Sequence, residues 1–170
     1  MIELLRQRRS IRMFQRRDIE PEKISILKEA CLRSPTSRNR NPWMFVFVTD
    51  PEYLQLLSQS KPHGAAFLRH APLGVIVAAD PSVSDVWVED CSIASILLQL
   101  TAQSLGLGSC WIQIRKRKPD HSGSASDYIK EKLNLPLELE VESIIAIGYP
   151  DEEKKGIPES DLLTDRIRTL

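Results

Sequence analysis

Cys91-Ser92-Ile93-Ala94-Ser95-Ile96-Leu97-Leu98-Gln99-Leu100-Thr101-Ala102-Gln103-Ser104-Leu105 carries apolar side chains around nearly its whole circumference rather than along one stripe. A helix with no polar face has to be buried on most sides. Asp90 stands where an N-cap is expected, and Gly106 is placed to end the helix, since glycine takes the left-handed conformation at little cost. One copy of a 170-residue chain has few layers with which to cover such a helix, so the pattern predicts dimerisation.

Outward from this helix, short apolar runs rich in β-branched and aromatic residues predict four strands: Trp43 to Thr49, Leu73 to Ala79, Ser109 to Ile114 and Glu142 to Ile147. The first reads as buried and the second as apolar. Helices are predicted over Glu3 to Arg8, over Pro21 to Arg33 with proline at the first position, over Pro51 to Ser58 behind an Asp50 cap, and over Ala125 to Leu133. Ala65 to His70 reads as one or two helical turns. Ser34 to Pro42 and Arg115 to Ser124 read as polar loops. Strands and helices interleave, which predicts an α+β or α/β sandwich around one sheet. The length predicts a single domain over residues 1–170, with the charged tail 151–170 on its surface or on a partner subunit.

Composition narrows the function. Formal net charge is zero, with 42% hydrophobic and 27% charged residues. No global field draws the chain to nucleic acid or to an anionic membrane, so any basic site is local. Arg6 to Arg17 and Arg115 to Lys118 are basic runs, but the second has no interleaved aromatics, which argues against a nucleic-acid binder. No apolar stretch is long enough for a membrane span or a signal peptide, so a cytoplasmic location is expected. Cys31, Cys91 and Cys110 form neither a disulfide framework nor a CxxC motif, and His63, His70 and His121 lack metal-site spacing. No metal is expected.

Three segments stand out. Arg8-Arg9-Ser10-Ile11-Arg12 places three guanidiniums and a hydroxyl within five residues. Arginine's fork of donors suits phosphate and carbonyl oxygens, although alone the run reads as a solvated basic face. Ser34-Pro35-Thr36-Ser37-Arg38-Asn39-Arg40-Asn41-Pro42-Trp43 is dense in directional donors and acceptors and is pinned by prolines. Gly106-Leu107-Gly108-Ser109-Cys110-Trp111-Ile112-Gln113 lets backbone approach a ligand, or simply turns a helix into a strand. No GxGxxG or GxxxxGK[ST] is present. Cys110 reads as core, Trp87 as core or surface aromatic rather than a ligand cover, and Asp90 as a cap.

Taken together these segments resemble the nitroreductase family of flavoproteins. Its Arg-Arg-Ser-Ile-Arg-like, Pro-Ser-x-x-Asn-x-Gln-Pro-Trp-like, Asp-opened helix, Leu-Gly-Leu-Gly-Ser-x-Trp-like and Ile-Gly-Tyr-Pro motifs all have counterparts, in that order, between Arg8 and Pro150. The resemblance implies an α-β-α sandwich with a central, mostly antiparallel sheet, and an intertwined homodimer with FMN at the interface. It implies Arg8 and Ser10 on the FMN phosphate, Arg9 along the phosphate or ribityl chain, and Arg12 at the pyrimidine edge, where a cation supports reduced FMN. Pro35, Thr36, Ser37 and Asn39 of the other subunit would line the ring, with the backbone of Trp111, Ile112 and Gln113 beside its reactive edge. Lys154 and Lys155 fall roughly where the family has late phosphate contacts. No side chain is required as nucleophile or general acid, because the flavin carries the chemistry. The implied activity is hydride transfer from NADH or NADPH to a small organic oxidant, by a ping-pong scheme at one shared face.

Arg38 stands where the family has small residues, Asn41 where it has glutamine, and the tail lacks an aromatic-rich extension. The same fold also supports reductive dehalogenation, flavin fragmentation and dehydrogenation. A flavin-binding module without turnover is the alternative of another class.

Overall fold

A computed structural model of the chain describes residues 1–119 and 123–170. Within the expected Arg115 to Ser124 loop, Asp120, His121 and Ser122 lie outside the described residues. Four strands form one antiparallel sheet: β1 (Trp43–Val48), β2 (Leu73–Ala79), β3 (Gly108–Gln113) and β4 (Glu140–Gly148), in the order β1-β2-β4-β3. The helices are α1 (Ile2–Gln7), α2 (Pro21–Leu32), α3 (Pro51–Leu57), α4 (Trp87–Ser104) and α5 (Ala125–Leu133). Each expected strand and helix is present within a few residues of its predicted bounds. Ala66–His70 is a single short 3-10 segment.

The alternation of side chains along the strands sorts the core into two layers. Ile76, Ile112, Ile144 and Ala146 pack with α3 and α5 on one face. Val75, Val77, Ile145 and Ile147 pack with α2 and α4 on the other. This is an α-β-α sandwich. Local chemistry closes the elements: Asp50 accepts from the Glu52 amide, Ser124 from the Asp127 amide, and Gly106 ends α4 at φ +75°.

Two expectations change. First, β1 is half-buried rather than buried. It is an edge of the sheet, next to β2, and Met44 turns outward while Trp43, Phe45 and Phe47 lean on the α2/α4 layer. Second, Asp90 is no cap, because α4 begins a turn earlier, at Trp87. As the apolar pattern of the helix predicts, one chain does not cover α4 all round: Ala94, Leu98 and Ala102 are fully buried, but Ile93 and Ile96 remain 40% and 38% exposed.

The N-terminal segment after α1 lies along the β3/β4 side of the sheet. Ser10 bridges Ser109 in parallel, the Ile11 amide donates to the Ser109 carbonyl at 2.9 Å, and Phe14 bridges Pro150. Ile11 fits because residue 108 has no side chain: a Cβ there would stand 2.9 Å from three Ile11 carbons. Farther along, the Tyr149 hydroxyl donates to Glu20 Oε2 at 2.5 Å and accepts from Lys23 Nζ at 2.6 Å, while Arg17 stacks on the ring. These contacts fasten the end of β4 to the start of α2.

Gly108→Ala should therefore cost about 1–3 kcal/mol by overpacking, read as a lowered denaturant midpoint at fixed protein concentration. A variant as stable as the parent would show that the segment is free to shift. Tyr149 tests a pH effect. Its hydrogen bond, ahead of Glu20's own backbone and Arg17, holds the Glu20 carboxyl down at about 2. That contribution is complete above the ordinary glutamate value of 4.5 and is lost as pH falls toward 2. The stability gap between the parent and Tyr149→Phe should narrow over that interval, and a gap unchanged by acid would contradict it.

Candidate functional site

The bridge at Ser10 sets the geometry of the arginine run. With Ile11 turned into the core, Arg8, Arg9 and Arg12 are left outside it at the start of β3. The charged tail returns to the same place. Lys154 Nζ donates to the Ser10 carbonyl at 2.8 Å and pairs with Glu152 at 3.0 Å, Arg9 donates to the Lys155 carbonyl, and Gly156 lies directly against the Arg6 carbonyl. Glu152 Oε1 accepts from the amides of Arg12 (2.5 Å) and Met13 (3.2 Å). The first of these holds the Glu152 carboxyl below the usual range. Buried Cys110 lies beneath the cluster. Burial pushes its thiol up, and Arg12, a Ser10 hydrogen bond, Lys154 and Arg8 pull against that. Arg12 also stands 5.9 Å over the Phe67 ring.

Four cations, Arg8, Arg9, Arg12 and Lys154, thus gather where the carboxylate of Glu152 is occupied by backbone amides and Lys154. An arrangement of this kind attracts a dianion such as a phosphate ester and offers fixed positive charge to an electron-rich ring edge.

The second cluster is the loop before β1. Asp90 is 2% exposed. Its Oδ1 accepts from the Ser37 amide at 2.9 Å and its Oδ2 from Ser84 Oγ at 3.0 Å. A buried carboxylate tethers the loop instead of capping the helix. Thr36 Oγ1 is 3.0 Å from both the amide nitrogen and the Oδ1 of Asn41. Arg40 donates to the Val83 carbonyl and faces Asp85. Within this frame Arg38, Asn39 and Asn41 have φ of 52°, 54° and 49°. Asparagine tolerates that region, whereas for arginine it costs about 1–2 kcal/mol.

The third is β3. Ile112 is fully buried. Trp111 Nε1 donates to Gln113 Oε1 at 3.0 Å, and Gln113 Nε2 donates to the Arg115 carbonyl at 3.2 Å. A bulge sets Glu142 out of register between Val141 and Ser143. Its Oε2 is buried without a hydrogen-bond partner among the described residues, and burial pushes its carboxyl up against the pull of Ser143 and Gln113. The Arg115 guanidinium stands 5.6 Å over Trp87, which packs on the α2/α4 layer.

The structure therefore brings Arg8, Arg9, Ser10, Arg12 and Lys154 together. Lys155 joins them through its backbone carbonyl, with its side chain partnerless among the described residues. Pro35, Thr36, Ser37 and Asn39 gather elsewhere, tied to the N-terminal end of α4, while Ser10 meets the strand that leaves its C-terminal end. From Asp90 to Ser104 that helix rises about 21 Å. Trp111 to Gln113 run between the two ends.

Sequence reasoning missed Glu152 and the tethering role of Asp90. Asp90 looked like any cap. Glu152 carried no signal, since its partners are 139 and 140 residues away. Lys61 was also missed. It is half-buried without a hydrogen bond or ion pair among the described residues, and burial, then Arg117, disfavours its charged form.

Comparison with known proteins bears on this arrangement. A model of the nitroreductase family matches residues 5–61 and 53–149. A protein of Archaeoglobus fulgidus, provisionally named an NADH dehydrogenase/NAD(P)H nitroreductase, is 34% identical over 98% of this chain and 95% of its own. The solved FMN-dependent nitroreductase of Clostridium difficile R20291 superposes with a TM-score of 0.97 at 45% identity, covering 99% of this chain and 98% of the other. A Parabacteroides distasonis structure with the same provisional name as the Archaeoglobus protein superposes at 0.88 and 30% identity, over 99% and 96%. Matched by the family model over most of its length and by these relatives end to end, the chain belongs to the nitroreductase family.

Proposed function

We propose that this chain is a cytoplasmic, homodimeric flavin oxidoreductase that binds FMN and passes reducing equivalents from NADH or NADPH to a small organic acceptor, a nitroaromatic or quinone, by a ping-pong scheme. The observation that carries the reading is the convergence of Arg8, Ser10, Arg12 and Lys154 on the start of β3. Guanidiniums, an ammonium and a hydroxyl form the donor set that a phosphate ester and the carbonyl edge of a flavin require.

When bound, FMN supplies the hydride transfer itself. The residues of this chain bind and orient it. Arg8 and Ser10 take the phosphate, with Arg9 along the chain that joins it to the ring. Arg12, its backbone fixed by Glu152, places a permanent charge at the pyrimidine edge, which needs no reorganisation when negative charge develops there. Lys154 braces the Ser10 carbonyl and adds charge, and Lys155 holds Arg9. The backbone of Trp111, Ile112 and Gln113 would run beside the ring's reactive edge.

The same geometry supports the homodimer. The loop bearing Pro35, Thr36, Ser37 and Asn39 is anchored about 21 Å along α4 from the cations, so in this reading a second copy supplies it. Ile2 and Leu5 of α1, and Ile93 and Ile96 of α4, leave apolar surface for that copy to cover. Leu162, Leu163 and Ile167 in the tail are also exposed and suit a partner's surface. The three free, buried cysteines suit a reducing compartment.

The purified protein should show flavin absorption bands, or take up FMN on reconstitution, and failure of both defeats the reading. Arg8→Ala should weaken FMN binding about ten- to a hundred-fold, as loss of a charged hydrogen bond does, with little effect on the reduction rate of the loaded enzyme. Arg12→Ala should slow flavin reduction at least about tenfold while changing FMN affinity less. Equal loss of FMN in both variants would contradict the division of roles. Steady-state rates at several oxidant concentrations should give parallel double-reciprocal lines, and intersecting lines would exclude a shared face.

A further inference from the structure

Arg38 is the residue of the 34–42 loop that the rest of the chain does not explain. Its φ of 52° and ψ of 23° lie in the left-handed region that an arginine side chain disfavours. Such a conformation persists only where the surroundings over-determine it, and they do so here. The Asp90 tether on Ser37, the Thr36–Asn41 pair, and Arg40 on Val83 and Asp85 hold the loop on both sides of Arg38. The two arginines of the loop are treated differently. Arg40 folds back onto its own chain. Arg38 is exposed and, among the described residues, makes no hydrogen bond, ion pair or ring contact. The nearby acids are spoken for, Asp85 by Arg40 and Asp90 by Ser37 and Ser84. A strained backbone thus presents an uncompensated guanidinium from a loop in which Thr36, Arg40 and Asn41 bond within the chain.

We propose that Arg38 is a specificity-determining residue that reads an anionic group, a carboxylate or a phosphate, on the reactant docking against this loop. The assignment rests on the reading that the loop lines the flavin of the other subunit. A guanidinium can pair bidentately with either anion, so the group belongs either to an acidic acceptor or to the extra phosphate that distinguishes NADPH from NADH.

The test uses the FMN-loaded dimer, whose absorption bands are checked first. Absent bands overturn the flavin reading and this assignment with it, whereas a loaded protein isolates the role of Arg38. Calorimetric titration with benzoate and benzamide, rings of like size that differ in charge, reads binding without turnover. Steady-state KM for 4-nitrobenzoate against 4-nitrobenzyl alcohol, and for NADPH against NADH, reads the two sources. Arg38→Gln should weaken one anionic partner about tenfold and leave its neutral or less charged counterpart within about twofold, with Arg38→Lys retaining most of the preference. The acceptor arm moving alone identifies an acidic acceptor, and the NADPH arm moving alone identifies the nucleotide phosphate. Arg38→Gly, which relieves the positive φ, should lose the same discrimination while melting at or above the parent temperature. Equal effects on charged and neutral members of both pairs, or none on either, overturn the assignment.

Discussion

Ile11 seated over Gly108 is the contact on which the rest of the molecule's arrangement depends. The backbone at residue 108 can come that close only without a Cβ, and the approach lets the Ile11 amide reach the Ser109 carbonyl. Once this residue is turned inward, its neighbours Ser10 and Arg12 cannot follow it, and the arginine run is held along the strand instead of drifting in solvent. Phe14 repeats the device at Gly148, where a Cβ would meet both Phe14 and Pro72. The tail then uses the ordered segment as a template: Glu152 takes the amides of Arg12 and Met13, and Lys154 takes the Ser10 carbonyl. Two apolar side chains on two glycines organise the charge, and the charge organises the tail.

Charge balance explains why a chain of zero net charge can hold such a cluster. Glu152 lies among the cations, but its oxygen is spent on backbone amides and Lys154, so it orients the cluster more than it neutralises it. Elsewhere the acids are matched locally, as Glu20 is by Arg17, Lys23 and Tyr149. The local excess of positive charge is therefore invisible to composition and depends wholly on which partners the fold brings near.

The sequence made legible what periodicity and local chemistry encode. The apolar runs of β2 and β4, the proline starts of α2 and α3, the Asp50 cap and the Gly106 stop all act over a few residues, and the structure keeps them. What it changed acts over distance. Asp90 ahead of an apolar run looks the same whether it caps a helix or tethers a loop, and the Ser37 amide that decides the matter is 53 residues away. Trp43 to Val48 has a core composition, yet lies at the edge because the order of strands is not written in any one of them. The arginine run was ambiguous alone and gained meaning from the order of the other motifs.

The helix that opened the reading turns out to act as a spacer. Its N-terminal end holds the strained loop through Asp90, and the strand leaving its C-terminal end holds the cations through Ser109, about 21 Å on. The two ends differ physically. The cation end is an extended segment packed on glycines, with the Arg12 and Met13 amides held by Glu152 and the guanidiniums of Arg8 and Arg12 without a hydrogen bond among the described residues. The loop end carries three residues with positive φ, Arg38, Asn39 and Asn41, inside a frame of side-chain hydrogen bonds. A rigid spacer between a gripping end and a strained end cannot fold back to unite them. Ile93 and Ile96, which this chain leaves uncovered on the same helix, offer the surface through which a second copy would join one end to the other.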